Sequence, residues 1–247
     1  MSFLIALAFL TVMPLPEGRR VSPEEVGRSG AFFPLVGAIL GVVLVGLNWL
    51  FGLVLPPSLV NMGLLVALIL LTGVLHLDGF IDTCDGLAGS KTPQERWEVM
   101  RDSRVGSFGV VGAFSLLLLK YICLSGLPEP FRVAGLVLMP TLSRWAVVCP
   151  IFAFPYAKPE GLGRVFKEQT SRRSLILATL VTLVLSLGLF RAMGIALMFG
   201  VWLVAMVLAA FLSRRFAGLT GDNYGAIIEV TEVIALIIIS LVAEWGC

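Results

Sequence analysis

From Ser29 to Leu77 the chain carries no formally charged residue, with His76 taken as neutral. A helix needs roughly 20 apolar residues to cross a bilayer, so this run of nearly fifty is long enough to cross twice. A soluble fold does not accommodate it, because 247 residues cannot cover several helices that are apolar on every side. Composition agrees: 58% of residues are hydrophobic and 14% charged, where a soluble domain carries about 25% charged residues. The mean hydropathy is +0.98. The expected fold is all-α, a polytopic membrane bundle forming a single domain over 1–247, with the lipid bilayer as its partner.

Hydropathy and breakers place spans at 31–54, 59–77, 107–127, 132–154, 174–190, 192–212 and 226–243. Leu55-Pro56-Pro57-Ser58 separates the first two, and Arg191 separates the fifth and sixth. Of the 18 lysines and arginines, 14 fall in four alternate places. Arg19, Arg20 and Arg28 precede the first span, and Lys91, Arg96, Arg101 and Arg104 lie between the second and third. Lys158, Arg164, Lys167, Arg172 and Arg173 lie between the fourth and fifth, and Arg214 and Arg215 between the sixth and seventh. Basic connections stay on the cytoplasmic side. Seven spans with the N-terminus inside a cell (inner) membrane satisfy that rule. Ser22-Pro23-Glu24-Glu25 and Thr92-Pro93-Gln94-Glu95 each offer a capping hydroxyl, a first-turn proline and a glutamate at the third position. Each predicts a short cytoplasmic helix along the membrane surface, the second dipping Trp97 and Met100 into the interface.

The N-terminal MSFLIALAFLTVMPLPEG lacks a basic leader and a small-residue cleavage site, and reads as a retained interfacial or re-entrant segment. The four cysteines (Cys84, Cys123, Cys149 and Cys247) have no metal-ligand or CxxC spacing and read as free thiols. A net charge of +2 without a basic, aromatic-interleaved run gives no basis for a nucleic-acid partner.

The chemistry concentrates where the apolar run ends. LHLDGFIDTCDGLAG (75–89) places Asp78, Asp82 and Asp85 at i, i+4 and i+7, on one helical face. Like charges at that spacing repel, and near hydrocarbon each also loses hydration. A bound divalent cation reverses both effects. An all-oxygen site favours a hard ion such as Mg2+, which takes one or two carboxylates together with waters and substrate phosphate. Asp102 in MRDSRVGSFG, and Asp222 ahead of Glu229 and Glu232 in LTGDNYGAIIEVTE, add acids from two further segments. Carboxylate-held metal beside arginines and lysines suits phosphoryl or phosphodiester transfer. Other signals are weaker. Gly89-Ser90-Lys91-Thr92 lacks the spacing and the preceding strand of a phosphate loop. His76, the only histidine, has no nucleophile to serve and reads as a hydrogen-bonded helix-end residue. Gly161-Leu162-Gly163 reads either as a turn or as a set of backbone N–H donors for phosphate.

The stretches FFPLVGAILG (32–41), LHLDGFIDTCDGLAGS (75–90), MRDSRVGSFG (100–109), EGLGRVF (160–166) and TGDNYGAIIE (220–229), with the N-terminal FLTVMPLP, resemble the cobalamin synthase family, the adenosylcobinamide-GDP ribazoletransferases. The resemblance implies a membrane enzyme that joins a corrinoid nucleotide, adenosylcobinamide-GDP, to α-ribazole or its 5′-phosphate. GMP leaves, and Mg2+ is the implied cofactor. It also implies roles. Asp82 and Asp85, with Asp78 nearby, would hold the metal. Asp102 or Glu229 would be a second ligand or base. Arg101, Arg104 and Lys158 would clamp phosphate, and Asp222 would contact substrate. Two other families share part of these features. A CDP-alcohol phosphotransferase shares Asp82-Thr83-Cys84-Asp85-Gly86 but lacks the rest of its motif here. An ion-coupled transporter using Glu229 and Glu232 would require acids near the bilayer centre.

Overall fold

The computed structural model describes residues 1–15, 18, 21–89 and 92–245, the side chains of 244 and 245 excepted. Pro16, Arg19, Arg20, Ser90, Lys91 and Cys247 of the sequence reading lie outside the described residues. Regular structure among the described residues is helical: α1 (Ser2–Leu10), α2 (Pro23–Ser29), a 3-10 turn (Gly30–Phe32), α3 (Phe33–Gly52), α4 (Pro57–Leu71), α5 (Leu75–Ala88) and α6 (Pro93–Val99). There follow α7 (Ser107–Gly126), α8 (Glu129–Ala153), α9 (Leu162–Gln169), α10 (Arg172–Phe190), α11 (Met193–Phe216) and α12 (Gly221–Trp245). Six helices are long and apolar enough to cross a membrane, and the bent pair α4 and α5 brings the number to seven. Each of the seven expected spans has its helix. Helix α1, at about 14 Å, is too short to cross and packs on α2 and α3.

The capping signals work as expected. Ser22 Oγ accepts from Glu25 N (3.3 Å) and Glu25 Oε2 accepts from Ser22 N (3.2 Å). Thr92 and Glu95 repeat the arrangement at 3.3 and 3.0 Å. The expected placement of Trp97 and Met100 in the interface is corrected. Met100 is 6% exposed and lies against Gly86 and Phe216, and Trp97 packs on the protein core. The cause is Arg96, whose buried guanidinium donates to Gly86 O (2.7 Å) and Leu87 O (2.9 Å). These are carbonyls at the C-terminal end of α5, which attract a cation. Helix α6 is thereby fastened to α5 and α11 and turns Trp97 inward, with Met100 following it, while Val99 stays exposed.

Helix α8 lies at the centre, buried along most of its length against α3, α10, α11 and α12. Gly37 and Gly41 of α3 permit the closest approach, a small-xxx-small contact of the kind that brings membrane helices together. A Cβ on Gly37 would sit 2.2 Å from Pro140 O, and one on Gly41 2.5 Å from Val137 Cα. Gly37→Ala is therefore expected to lower stability by about 1–3 kcal/mol, read as a fall in Tm of the detergent-solubilised protein. An alanine variant as stable as the parent would show that α3 can move away freely. At one end of the bundle Arg132 joins four helices: it donates to Asn48 (2.8 Å), Asn61 (2.5 Å) and Leu124 O (3.2 Å).

The turn from α4 to α5 was not visible in the sequence. Gly73 (φ 60°) and Val74 (φ 64°) both adopt left-handed backbone, uncommon for a β-branched residue, and Val74 N is held by Ile69 O at 3.0 Å. The axis bends by 89°. The apolar crossing thus ends at Leu71, and the aspartate helix turns aside to lie against α7 and α12.

Candidate active site

The three aspartates of α5 share a helix but have different surroundings. Asp85 faces the start of α7, where its carboxylate accepts from Gly106 N (2.8 Å) and Gly109 N (2.7 Å). Those N–H groups have no partner within their own helix, and an anion there is favoured. The glycines are required, since a Cβ on Gly106 or Gly109 would come within 2.5 Å of the carboxylate. Asp85 therefore fastens α7 to α5, and both its oxygens are engaged. Asp85→Ala is expected to cost about 1–2 kcal/mol, with Asp85→Asn losing less because one acceptor remains. Equal Tm values for parent and alanine variant would deny that anchoring.

Asp82 is half-buried. Burial, then the charges of Asp78, Asp222 and Asp85, push its carboxyl up to about 7, with Lys158 opposing. Asp78 and Asp222 line one cavity together with Lys158, Glu160 and Tyr156. Lys158 Nζ lies 3.3 Å from Asp222 Oδ2. Burial, and then Asp222, also raise the Tyr156 hydroxyl.

Two close approaches hold these parts in place. Gly79 of α5 rests on the backbone of Asp222, where a Cβ would fall 2.8 Å from the carbonyl oxygen. Beside it, Asn223 Nδ2 donates to Thr83 Oγ1 (3.1 Å). The segment after α8 is joined to the one before α12 by Ala157 N to Leu219 O and Leu219 N to Pro155 O, both 2.8 Å. This places Lys158 beside Asp222. Gly161 (φ 118°) then starts α9, and Gly163 packs against the Tyr156 ring, where a Cβ would be 2.7 Å away. Gly161-Leu162-Gly163 forms the N-terminal end of α9 and lies in the cavity wall.

The other candidates lie elsewhere. Asp102 and Arg104 pair at 2.7 Å on the surface, and the hydrogen bonds from Arg104 hold the Asp102 carboxyl down at about 2. Arg101 is exposed next to them. None of these three lines the cavity. Glu229 is also outside it. It lies two turns into α12, buried, with its carboxylate 2.5 Å from Lys120 Nζ. Lys120 bonds Glu232 as well, and Glu232 bonds Arg144. The expectation that Glu229 stands beside the aspartates of α5 is corrected: the buried Lys120 ammonium holds it within the bundle. Glu229 and Glu232 do sit inside the bundle, as the transporter reading required, but both are paired with buried cations. Sequence reasoning missed Lys120 and Arg144. The available signal was a cation deep within each of two apolar spans, Lys120 and Arg144, against two acids within a third.

Among the described residues no group of three or more His, Cys, Asp or Glu side chains forms a ready-made metal cage. Mg2+ does not need one, since it is held by one or two carboxylates with water and phosphate completing the shell. The crowding of Asp78 and Asp222 around Asp82, with the engaged Asp85 adding its charge and Lys158 opposing, is a donor set short of positive charge. Hard oxygen donors of this kind fit such an ion.

Comparison with known proteins identifies the family. The family model described as Cobalamin-5-phosphate synthase matches residues 2–240. A protein of Desulfitobacterium hafniense (strain Y51) named adenosylcobinamide-GDP ribazoletransferase is 42% identical over 94% of this chain and 94% of its own length. Relatives of the same name from Roseiflexus sp. (strain RS-1) and Geotalea daltonii are 37% and 36% identical, over 96% and 99% of this chain and 88% and 98% of their own lengths. No solved structure matches the chain. A match over nearly every helix, with the acid-bearing segments inside it, means that the chain belongs to the cobalamin-5-phosphate synthase family.

Proposed function

We propose that this chain is the adenosylcobinamide-GDP ribazoletransferase of cobalamin biosynthesis. The observation that carries the reading is the convergence of Asp78, Asp222 and Lys158 from three segments at one cavity, with Asp82 of the same helix as Asp78 under the charge of all three, in a chain with family relatives over almost its whole length. In the reaction a ribose hydroxyl of α-ribazole attacks the phosphorus that carries the cobinamide arm. A new P–O bond forms, the bond to the GMP phosphate breaks, and the hydroxyl proton is released. Asp78 and Asp222 line the cavity and are placed to receive that proton, and Lys158 is placed to meet phosphate oxygens. Asp82, with Asp78 or Asp222, would hold Mg2+, which would supply the charge neutralisation that makes a nucleotide monophosphate a good leaving group. Among the described residues the cavity wall holds no serine or cysteine, and His76 is its one histidine, so the transfer is read as direct, without a covalent enzyme intermediate.

The face bearing α2, α6 and α9 is assigned to the cytoplasm of the inner membrane, because the basic connections gather there. The chemistry is tested with purified protein, adenosylcobinamide-GDP and Mg2+, with and without α-ribazole. GMP is expected only when both substrates are present, and chelation is expected to stop its release. A stoichiometric burst of GMP without α-ribazole would reveal a covalent intermediate. No GMP in either case, with turnover of a CDP-alcohol, would reverse the reading.

A further inference from the structure

The cavity that holds the carboxylates has a second, apolar part. Phe9, Phe33, Val147, Ile151, Phe166 and Ile228, from five helices, belong to its wall. The rings of Phe9, Phe33 and Phe166 pack on one another with centroids 4.6–5.8 Å apart. Two buried polar side chains of the same wall are not satisfied. His76 Nε2 and the Tyr224 hydroxyl have no hydrogen-bond partner, and the two residues are 3% and 6% exposed. A buried polar atom without a partner is costly, and at a cavity wall a ligand can satisfy it.

The state of His76 follows from its neighbour. Arg144 Nη2 approaches His76 Nδ1 at 3.4 Å, while the same guanidinium bonds Ser143 Oγ and the carboxylate of Glu232. A guanidinium only donates, so Nδ1 is the bare nitrogen and Nε2 carries the hydrogen. Lys120 and Glu229 complete the buried group that holds Arg144 in place. The histidine is thus a fixed donor.

We infer that this apolar chamber receives the base of the α-ribazole acceptor, a benzimidazole, with His76 Nε2–H donating to the bare ring nitrogen and the Tyr224 hydroxyl bonding beside it. The inference rests on the ribazoletransferase reading and deepens it. Size decides against the corrin: the whole cavity, its carboxylate end included, measures about 280 Å³, at the lower limit for small-molecule sites, so its apolar part admits at most one bicyclic ring system. Polarity decides against guanine, whose edge carries several donors and acceptors that walls of Phe, Val and Ile leave unpaired. A benzimidazole has one bare nitrogen and is otherwise apolar. The base in this chamber leaves the ribose near Asp78 and Asp222 of the same cavity. His76 is a binding residue in this assignment, and Arg144 positions it.

The experiment compares α-ribazole with its indole analogue, in which a C–H replaces the bare ring nitrogen. The full-length parent in detergent is expected to prefer α-ribazole by about tenfold in kcat/KM, the effect of one hydrogen bond. In His76→Ala the KM for α-ribazole should rise by about the same factor. The KM for adenosylcobinamide-GDP should stay put, and the preference over the indole riboside should vanish. His76→Gln, whose amide reaches the position of Nε2, should recover part of it. Tyr224→Phe removes only the hydroxyl and serves if the histidine variants do not fold. Binding of α-ribazole to the parent without corrinoid, followed by benzimidazole fluorescence, gives a readout free of turnover and should weaken by the same factor for the indole compound. Equal use of both ribosides by a fully active parent overturns the assignment alone. So do variants that change only the KM for the corrinoid nucleotide or inhibition by GMP, which would put guanine in the chamber. A parent with no ribazole turnover overturns the ribazoletransferase reading and the assignment with it.

Discussion

Asp82→Asn is expected to lower kcat by about 10²–10³, the effect of removing one preorganised electrostatic group from a charged transition state, while the protein still inserts and folds. The direction of its effect on stability is fixed by the surroundings. In the folded chain the carboxyl sits at about 7, against an ordinary value of 3.8, because it is desolvated and crowded by Asp78, Asp222 and Asp85. The folded state therefore keeps a proton that the unfolded chain releases between about pH 4 and pH 7. Stability from this group is fully present below the lower value and is lost as pH rises through the upper one. In chelator, the parent should lose Tm across that window and the asparagine variant should lose less. The variant should also be the more stable of the two above pH 7. Added Mg2+ should raise the Tm of the parent more than that of the variant. A variant with near-normal turnover and an unchanged pH profile would remove Asp82 from the chemistry.

Lys120→Met is expected to be the most destabilising single change, by about 3–5 kcal/mol, because it leaves buried carboxylates without their shared partner. Lys120 is 2% exposed and Glu232 is fully buried. Arg144 remains to pair with Glu232, so the uncompensated charge falls on Glu229. The double variant Lys120→Met with Glu229→Gln should regain most of the loss, since it removes the stranded charge with its partner. Thermal unfolding of the four proteins of this cycle in one detergent measures the coupling. A single variant as stable as the parent would mean that water or lipid headgroups reach Glu229, contrary to its burial. Activity should follow a different pattern. Because Arg144 holds His76 and is itself held through Glu232, the double variant is expected to fold well and still bind α-ribazole less tightly than the parent.

The membrane class and the positions of the helices were legible in the sequence because both follow from local chemistry. A charge-free run of the right length has few alternatives to a helix in lipid, and Ser22-Pro23 and Thr92-Pro93 mark helix starts through contacts made within four residues. The aspartates of α5 stood out for the same reason, as three carboxylates on one face at the end of such a run. What each one does was not legible. Asp85 serves α7 because Gly106 and Gly109 meet it from about twenty positions away. Asp82 is crowded by Asp222 from the other end of the chain.

Sequence alone determined that the chain crosses a membrane about seven times and that acids and cations cluster in its connections, since hydropathy and short-range capping need no knowledge of neighbours. Only the tertiary structure decided which of those acids meet. The left-handed turn at Gly73 and Val74 lays α5 across the ends of α7 and α12, and glycines at 79, 106 and 109 let the backbones close to contact. The same packing draws Glu229 and Glu232 inward to Lys120 and Arg144. A carboxylate that reads as catalytic by composition becomes part of the scaffold when a buried cation lies within hydrogen-bond reach, and its distance along the chain from that cation carries no trace of the pairing.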